Sequence, residues 1–146
     1  MFIIFQLYIE YMSKRSIINI NEVLNYLKIS RERIEQINKY IERNYKNRKA
    51  MNLILEELCE IAWKLFKKYD KFFKYYDNEN CYYISYPIVS KLLSWLFPAF
   101  KNTSAIFKSK IVKYIVMKLT FEGYRVESFK YVRSKGTEYL LCKPSS

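Results

Sequence analysis

Apolar positions recur at three- and four-residue steps over most of this chain and give way to strand-like runs near its end. Helices followed by a hairpin are the expectation. "NEVLNYL" (21–27) puts Val23, Leu24 and Leu27 inward behind a capping Asn21. After "KIS", Ser30 caps a second helix, "RERIEQINKYIERNY", with Ile34, Ile37 and Ile41 on one stripe. "NYKNRK" (44–49) is polar and basic, a break or a solvated helix end. The longest helical pattern runs from residue 50 to about 75, with Leu55, Leu58, Ala62, Leu65, Tyr69 and Phe72 inward. "DNEN" (77–80) is a turn cluster and "CYYISY" a short strand. Pro87 suits the first turn of a helix over 88–97, and Pro98 closes it. Thr103 or Ser104 then caps a helix over 105–122. Its inward face is Ala105, Val112, Ile115, Val116 and Leu119, with Lys110, Lys113, Tyr114 and Met117 opposite.

The chain has 2 Gly in 146 residues, and both lie in "GYRVESFKYVRSKGTEYLLCK". Glycine is needed where φ must be positive. Gly123 follows the last helical residues, where a left-handed cap is expected, and Gly136 sits in "RSKG", where a hairpin turns. Val126, Phe129 or Tyr131, with Tyr139, Leu140 and Leu141, offer the hairpin one buried face.

Long helix, short strand, helix, Pro-containing turn, helix, strand, basic turn, strand: this order over about residues 50–143 resembles the winged helix-turn-helix fold. The resemblance lies in element order and size. It implies a mainly α (α+β) domain with a C-terminal β-hairpin wing at 50–146, behind an N-terminal helical segment at 1–49. It further implies that helix 105–122 is the recognition helix and that Lys130, Arg133, Ser134 and Lys135 of the wing reach phosphates or a minor groove. Ile106, Phe107, Tyr114 and Met117 on the outward face depart from a groove-reading surface. The N-terminal helices or a second subunit would then cover part of it.

Charge points the same way. The chain carries 26 Lys+Arg against 14 Asp+Glu and no His, a formal net charge of +12 with a pI near 9.5. Residues 1–50 hold 10 cations against 5 anions, 51–100 hold 6 against 6, and 101–146 hold 10 against 3. A polyanionic surface is therefore to be met by the N- and C-terminal segments. Candidate nucleic-acid contacts are Lys108, Lys110, Lys113, Arg125, Lys130, Arg133, Ser134 and Lys135.

A second constellation, "NEVLNYLKISRERIEQI" (21–37), is similar to the plain helix-turn-helix of bacterial and archaeal regulators, through Leu27, Ile29, Ser30, Ile34 and Ile37. Lys28 replaces the usual turn glycine and Leu24 the usual small residue. The resemblance makes Arg31, Arg33, Gln36 and Lys39 secondary contacts. A helical hairpin packed on the rest is the alternative.

Other chemistry is thin. Without His, imidazole-based catalysis and nearly all zinc sites are excluded, and two glycines so placed exclude a phosphate-cradling loop. Glu56, Glu57 and Glu60 share a helix but read as a solvated flank rather than a Mg²⁺ site. "KLFKKYDKFFKYY" (64–76) interleaves Lys with aromatics, a pattern open to single-strand binding or to a core helix with snorkelling lysines. Cys59, Cys81 and Cys142 are odd in number and far apart. Three buried small residues in a reducing, cytoplasmic compartment are expected, without a disulfide.

"MFIIFQLYIEYM", with Lys14 and Arg15 after it, is too short to span a bilayer. A peripheral anchor, a strand, a docking helix or an upstream extension before a natural start at Met12 are its open readings. Abundant Ile, Lys, Asn and Tyr suggest an AT-rich genome, viral or thermophilic. The leading expectation is a non-enzymatic factor in transcription or replication, without cofactor or metal. It binds duplex DNA, can dimerise, and does not act at a membrane. The rival is a helical protein-interaction or virion module.

Overall fold

A computed structural model describes residues 19–75 and 78–144. The apolar N-terminal run and part of the "DNEN" turn lie outside these residues. In order come α1 (Ile20–Leu27), α2 (Arg31–Asn44), α3 (Arg48–Asn52) and α4 (Leu55–Lys68). A 3₁₀ turn (Asp70–Phe72), β1 (Lys74–Tyr75), β2 (Asn78–Ile84) and α5 (Tyr86–Ser94) follow. A second 3₁₀ turn (Pro98–Asn102), α6 (Ala105–Phe121), β3 (Arg125–Val132) and β4 (Gly136–Cys142) complete the chain.

Caps fix most of these starts. The side chains of Asn19, Ser30, Asn47 and Ser104 each accept a backbone N–H from the first turn of α1, α2, α3 and α6. Asn19, rather than Asn21, caps α1. Lys28 takes the left-handed conformation at φ 58°, as a turn-glycine position requires, so the backbone there carries a lysine in a glycine's geometry.

The expected helix over 50–75 is instead two helices and a turn. The Tyr40 hydroxyl donates to the Ala50 carbonyl at 2.7 Å, and Leu53 N–H donates to the same oxygen at 3.2 Å. That carbonyl would accept from Ile54 in a continuous helix. Ile54 N–H turns to Met51 instead, and α4 starts afresh. At the other end the chain leaves α4 at Tyr69 and pairs β1 with β2.

The sheet is antiparallel, in the order β1-β2-β4-β3. β4 therefore lies between β2 and its hairpin partner β3. Helices α4, α5 and α6 pack together against it. Phe66 of α4 stacks on Phe73 and meets Tyr82 of β2 edge-on. Phe97, Phe100, Ile111 and Leu141 are fully buried in the same cluster, which also takes in Val23, Ile37 and Ile41 from α1 and α2. The chain is thus a mainly helical α+β fold with a C-terminal β-hairpin.

Both glycines take positive φ, 98° at Gly123 and 65° at Gly136. At Gly136 space is short as well: a Cβ would stand 3.0 Å from the Tyr86 ring. Gly136→Ala is expected to lower stability by at least about 1–2 kcal/mol, the left-handed penalty alone. Its urea midpoint measures this.

The hairpin's buried face differs from expectation. Register places Val126, Phe129 and Tyr131 opposite Leu141, Tyr139 and Thr137, on one side of the sheet. Leu141 is buried, yet Val126, Phe129 and Tyr131 are exposed. β3 is an edge strand at the margin of the helical core, with a bulge between Val126 and Ser128.

The cysteine expectation is corrected too. Cys81 and Cys142 form a disulfide, with Cα atoms 4.1 Å apart, because β4 returns beside β2 and sets them opposite one another. Cys59 is free and buried, as expected.

Burial also sets the alkaline limit. Desolvation first, then Glu60 and Glu56, push the Cys59 thiol up to about 11. Burial and the hydrogen bond to Asp70 raise the Tyr82 phenol, and burial and Glu60 raise that of Tyr114. Folded values lie above unfolded ones, so the unfolded chain loses these protons first and stability falls as pH rises. Burial raises Tyr69 in the same sense, and Lys108, lowered by burial, pulls the other way. The urea midpoint is expected to drop from about pH 9 towards pH 11.

Candidate nucleic-acid interface

α6 presents one exposed stripe, Ile106, Lys110, Lys113, Met117 and Phe121, at helical spacing, with Lys110 half-buried within it. Its buried face is Phe107, Lys108, Ile111, Val112, Ile115 and Leu119. Ala105, expected inward, is exposed. Phe107, expected outward, is buried, and half-buried Tyr114 donates its hydroxyl to Glu60. The outward face is thus less aromatic than the sequence suggests, with two lysines at its centre.

Lys108 is the candidate that the structure removes from this surface. It is 8 % exposed, and its ammonium donates to the Lys101 carbonyl at 3.0 Å. It holds the 3₁₀ turn against α6. Lys110 donates to Asn52 Oδ1 at 3.1 Å, which orients the ammonium without neutralising it. Lys113 is exposed and makes no ion pair with the described residues.

The wing is tied to α5 and lies close to this helix. Tyr86, at the start of α5, donates its hydroxyl to the Ser134 carbonyl at 2.7 Å. A Cβ on Gly136 would lie 3.6 Å from Ser109 Oγ of α6. The wing tip therefore sits beside the N-terminal half of α6, and Arg133, Ser134 and Lys135 are exposed there. Sequence reasoning missed Tyr86, whose role depends on a contact 48 residues away.

It also missed Glu138. Its carboxylate lies 3.8 Å from Lys130 Nζ and 3.9 Å from Lys135 Nζ, so one acid partly neutralises both wing lysines. Arg125 and Arg133 have no ion pair among the described residues. If the wing meets phosphate, Glu138→Gln is expected to tighten duplex binding about 2–5-fold, the scale of exposed ion pairs. Fluorescence anisotropy checks it.

The secondary candidates sit differently. Arg33 makes a two-point pair with Glu57, at 2.5 and 3.0 Å, and also donates to Gln36. Arg31 donates to Asn21. These side chains brace α2 against α1 and α4, and only Lys39 is exposed without such a partner among the described residues. Glu57 and Glu60 are engaged by Arg33 and Tyr114, and no group of metal-binding side chains forms among the described residues. No helix of the described residues is long and apolar enough to cross a membrane. Comparison with protein-family models, with curated proteins and with solved structures gives no match.

Proposed function

We propose that this chain is a non-catalytic duplex-DNA-binding protein, a transcriptional regulator or replication-associated factor. Lys110 and Lys113 of α6 would face the major groove, with Lys130, Arg133, Ser134 and Lys135 of the wing on adjoining phosphates; Arg125, opposite Cys142 at the far end of the hairpin, would meet the backbone apart from them. The observation that supports it is the juxtaposition of the wing tip with the N-terminal half of α6 through Tyr86 and Ser109. It joins two basic elements into one surface, and phosphate contacts of this kind position a protein on the duplex. The order of a long helix, strand, helix, Pro-containing turn, helix and C-terminal hairpin, on which the winged-helix reading rests, also supports it. Two-dimensional NMR with a 25-mer duplex tests it. Amides of residues 108–114 and 130–136 should shift first. Shifts confined to other segments would reject this surface.

The disulfide bears on where such a protein works. A glutathione-reduced cytoplasm disfavours it, whereas an oxidising compartment or the disulfide-rich interior of a hyperthermophile suits it.

One observation favours a second reading. Phe129 and Tyr131 are 70 % and 74 % exposed on an edge strand, and Phe121 is 78 % exposed on α6, the helix that β3 contacts. Such a strip suits a protein partner or a second copy of the chain. Sedimentation of wild type and Phe129→Asp separates the two: a dimer that the substitution dissociates supports it, and a monomer in both rejects self-association.

A further inference from the structure

Wing and helix leave unexplained the positive charge of the N-terminal segment. The structure gives part of that charge a place. On another flank of the α6 N-terminal half lies an open cleft of about 400 Å³. Lys46, from the connection between α2 and α3, and Arg48, the first residue of α3, meet Lys110 of α6 around it, and Met51, Ile106 and Phe107 supply apolar wall. No acidic residue among the described ones lines it. Ser104, Ile106 and Phe107 of the first turn of α6 line this cleft, which sets it near the positive end of the helix dipole. Asn52 holds the Lys110 ammonium without cancelling its charge.

Cations converging over an apolar wall suit a ligand that is anionic at one end and planar and weakly polar at the other. The volume is that of a small-molecule site, too small for a docked helix. We propose that this cleft is a phosphate-ester site that seats one nucleotide of a nucleic-acid strand. Lys46, Arg48 and Lys110 take the phosphate and the apolar wall takes the sugar; a base enters only from an unpaired strand or a free nucleotide, because pairing holds it in the duplex stack. Naming a strand as the source rests on the DNA-binding reading, because Lys110 belongs both to the cleft and to the exposed stripe of α6. A strand following that stripe passes the cleft mouth. A free nucleoside phosphate shares the chemistry and is the other source.

The test uses the full chain, with Lys46→Ala/Arg48→Ala as the cleft variant and Arg133→Ala/Lys135→Ala as the wing variant. Unchanged melting temperatures establish that both fold. A fluorescent 25-mer duplex is titrated across salt concentrations, and adenosine 5′-monophosphate is titrated separately by NMR. The cleft variant should bind the duplex about tenfold more weakly, with the salt slope smaller by about 1, for the single phosphate that the cleft neutralises. The nucleotide should shift the amides of residues 104–110 in wild type and not in the cleft variant. Nucleotide shifts with unaltered duplex binding by the cleft variant would overturn the strand source in favour of a free nucleotide. Unaltered duplex binding without nucleotide shifts would overturn the site. The wing variant separates the two claims: duplex binding indifferent to the wing, with nucleotide shifts intact, defeats the DNA-binding surface and leaves the cleft standing.

Discussion

Replacing Lys130, Arg133 and Lys135 together by Ala is expected to weaken binding to a random-sequence duplex by about a hundredfold or more near 0.1 M salt. Each Lys or Arg on a phosphate releases a condensed counterion and contributes roughly 0.9 to the slope of log K against log salt, so removing three such cations should lower that slope by nearly 3. The fold should survive. All three side chains are exposed, and the only pairs they make among the described residues are the long ones to Glu138. The wing keeps its shape through backbone groups, with the Ser134 carbonyl on Tyr86 and Gly136 in the turn. Weakened binding at unchanged melting temperature would therefore report on phosphate contact rather than on folding. Anisotropy titrations and a thermal melt of the same sample supply both numbers.

The second large effect is on stability. Cys81→Ala with Cys142→Ala is expected to lower it by about 4 kcal/mol, the chain-entropy value for a cross-link spanning 61 residues. For a chain of this size that is a fall of roughly 10–20 °C in melting temperature. The cross-link encloses α5, α6 and β3, so without it the unfolded chain gains freedom across most of the proposed interface. Thermal circular dichroism with and without a thiol reductant measures it, and reduced wild type should approach the double variant. A melting temperature unmoved by both treatments would mean that the disulfide contributes little.

Elements with a short-range signal were legible in the sequence. The Ser30 and Ser104 caps, the helical stripe of α2, Pro87 at a helix start and the two positive-φ glycines all follow from neighbours within a few residues. What sequence reasoning missed depends on distant partners. The break before α4 is set by Tyr40 across ten residues, and the disulfide by the return of β4 beside β2. Lys108 falls with Phe107 on the stripe that turned inward, two positions from Lys110, a difference that periodicity alone does not resolve. In the candidate interface, charge identified the segments, but only geometry separates Lys110 and Lys113 from Lys108, and Arg133 from the engaged Arg33.

The central claim, a polyanion-binding surface built from α6 and the wing, is tested most directly by the salt dependence of wild-type binding to the 25-mer duplex. If about 6 phosphates are met, affinity should fall roughly a thousandfold between about 50 and 200 mM salt. Absence of binding at the lower concentration, or binding indifferent to salt, would contradict it and favour the exposed strip around Phe121, Phe129 and Tyr131 as the working surface.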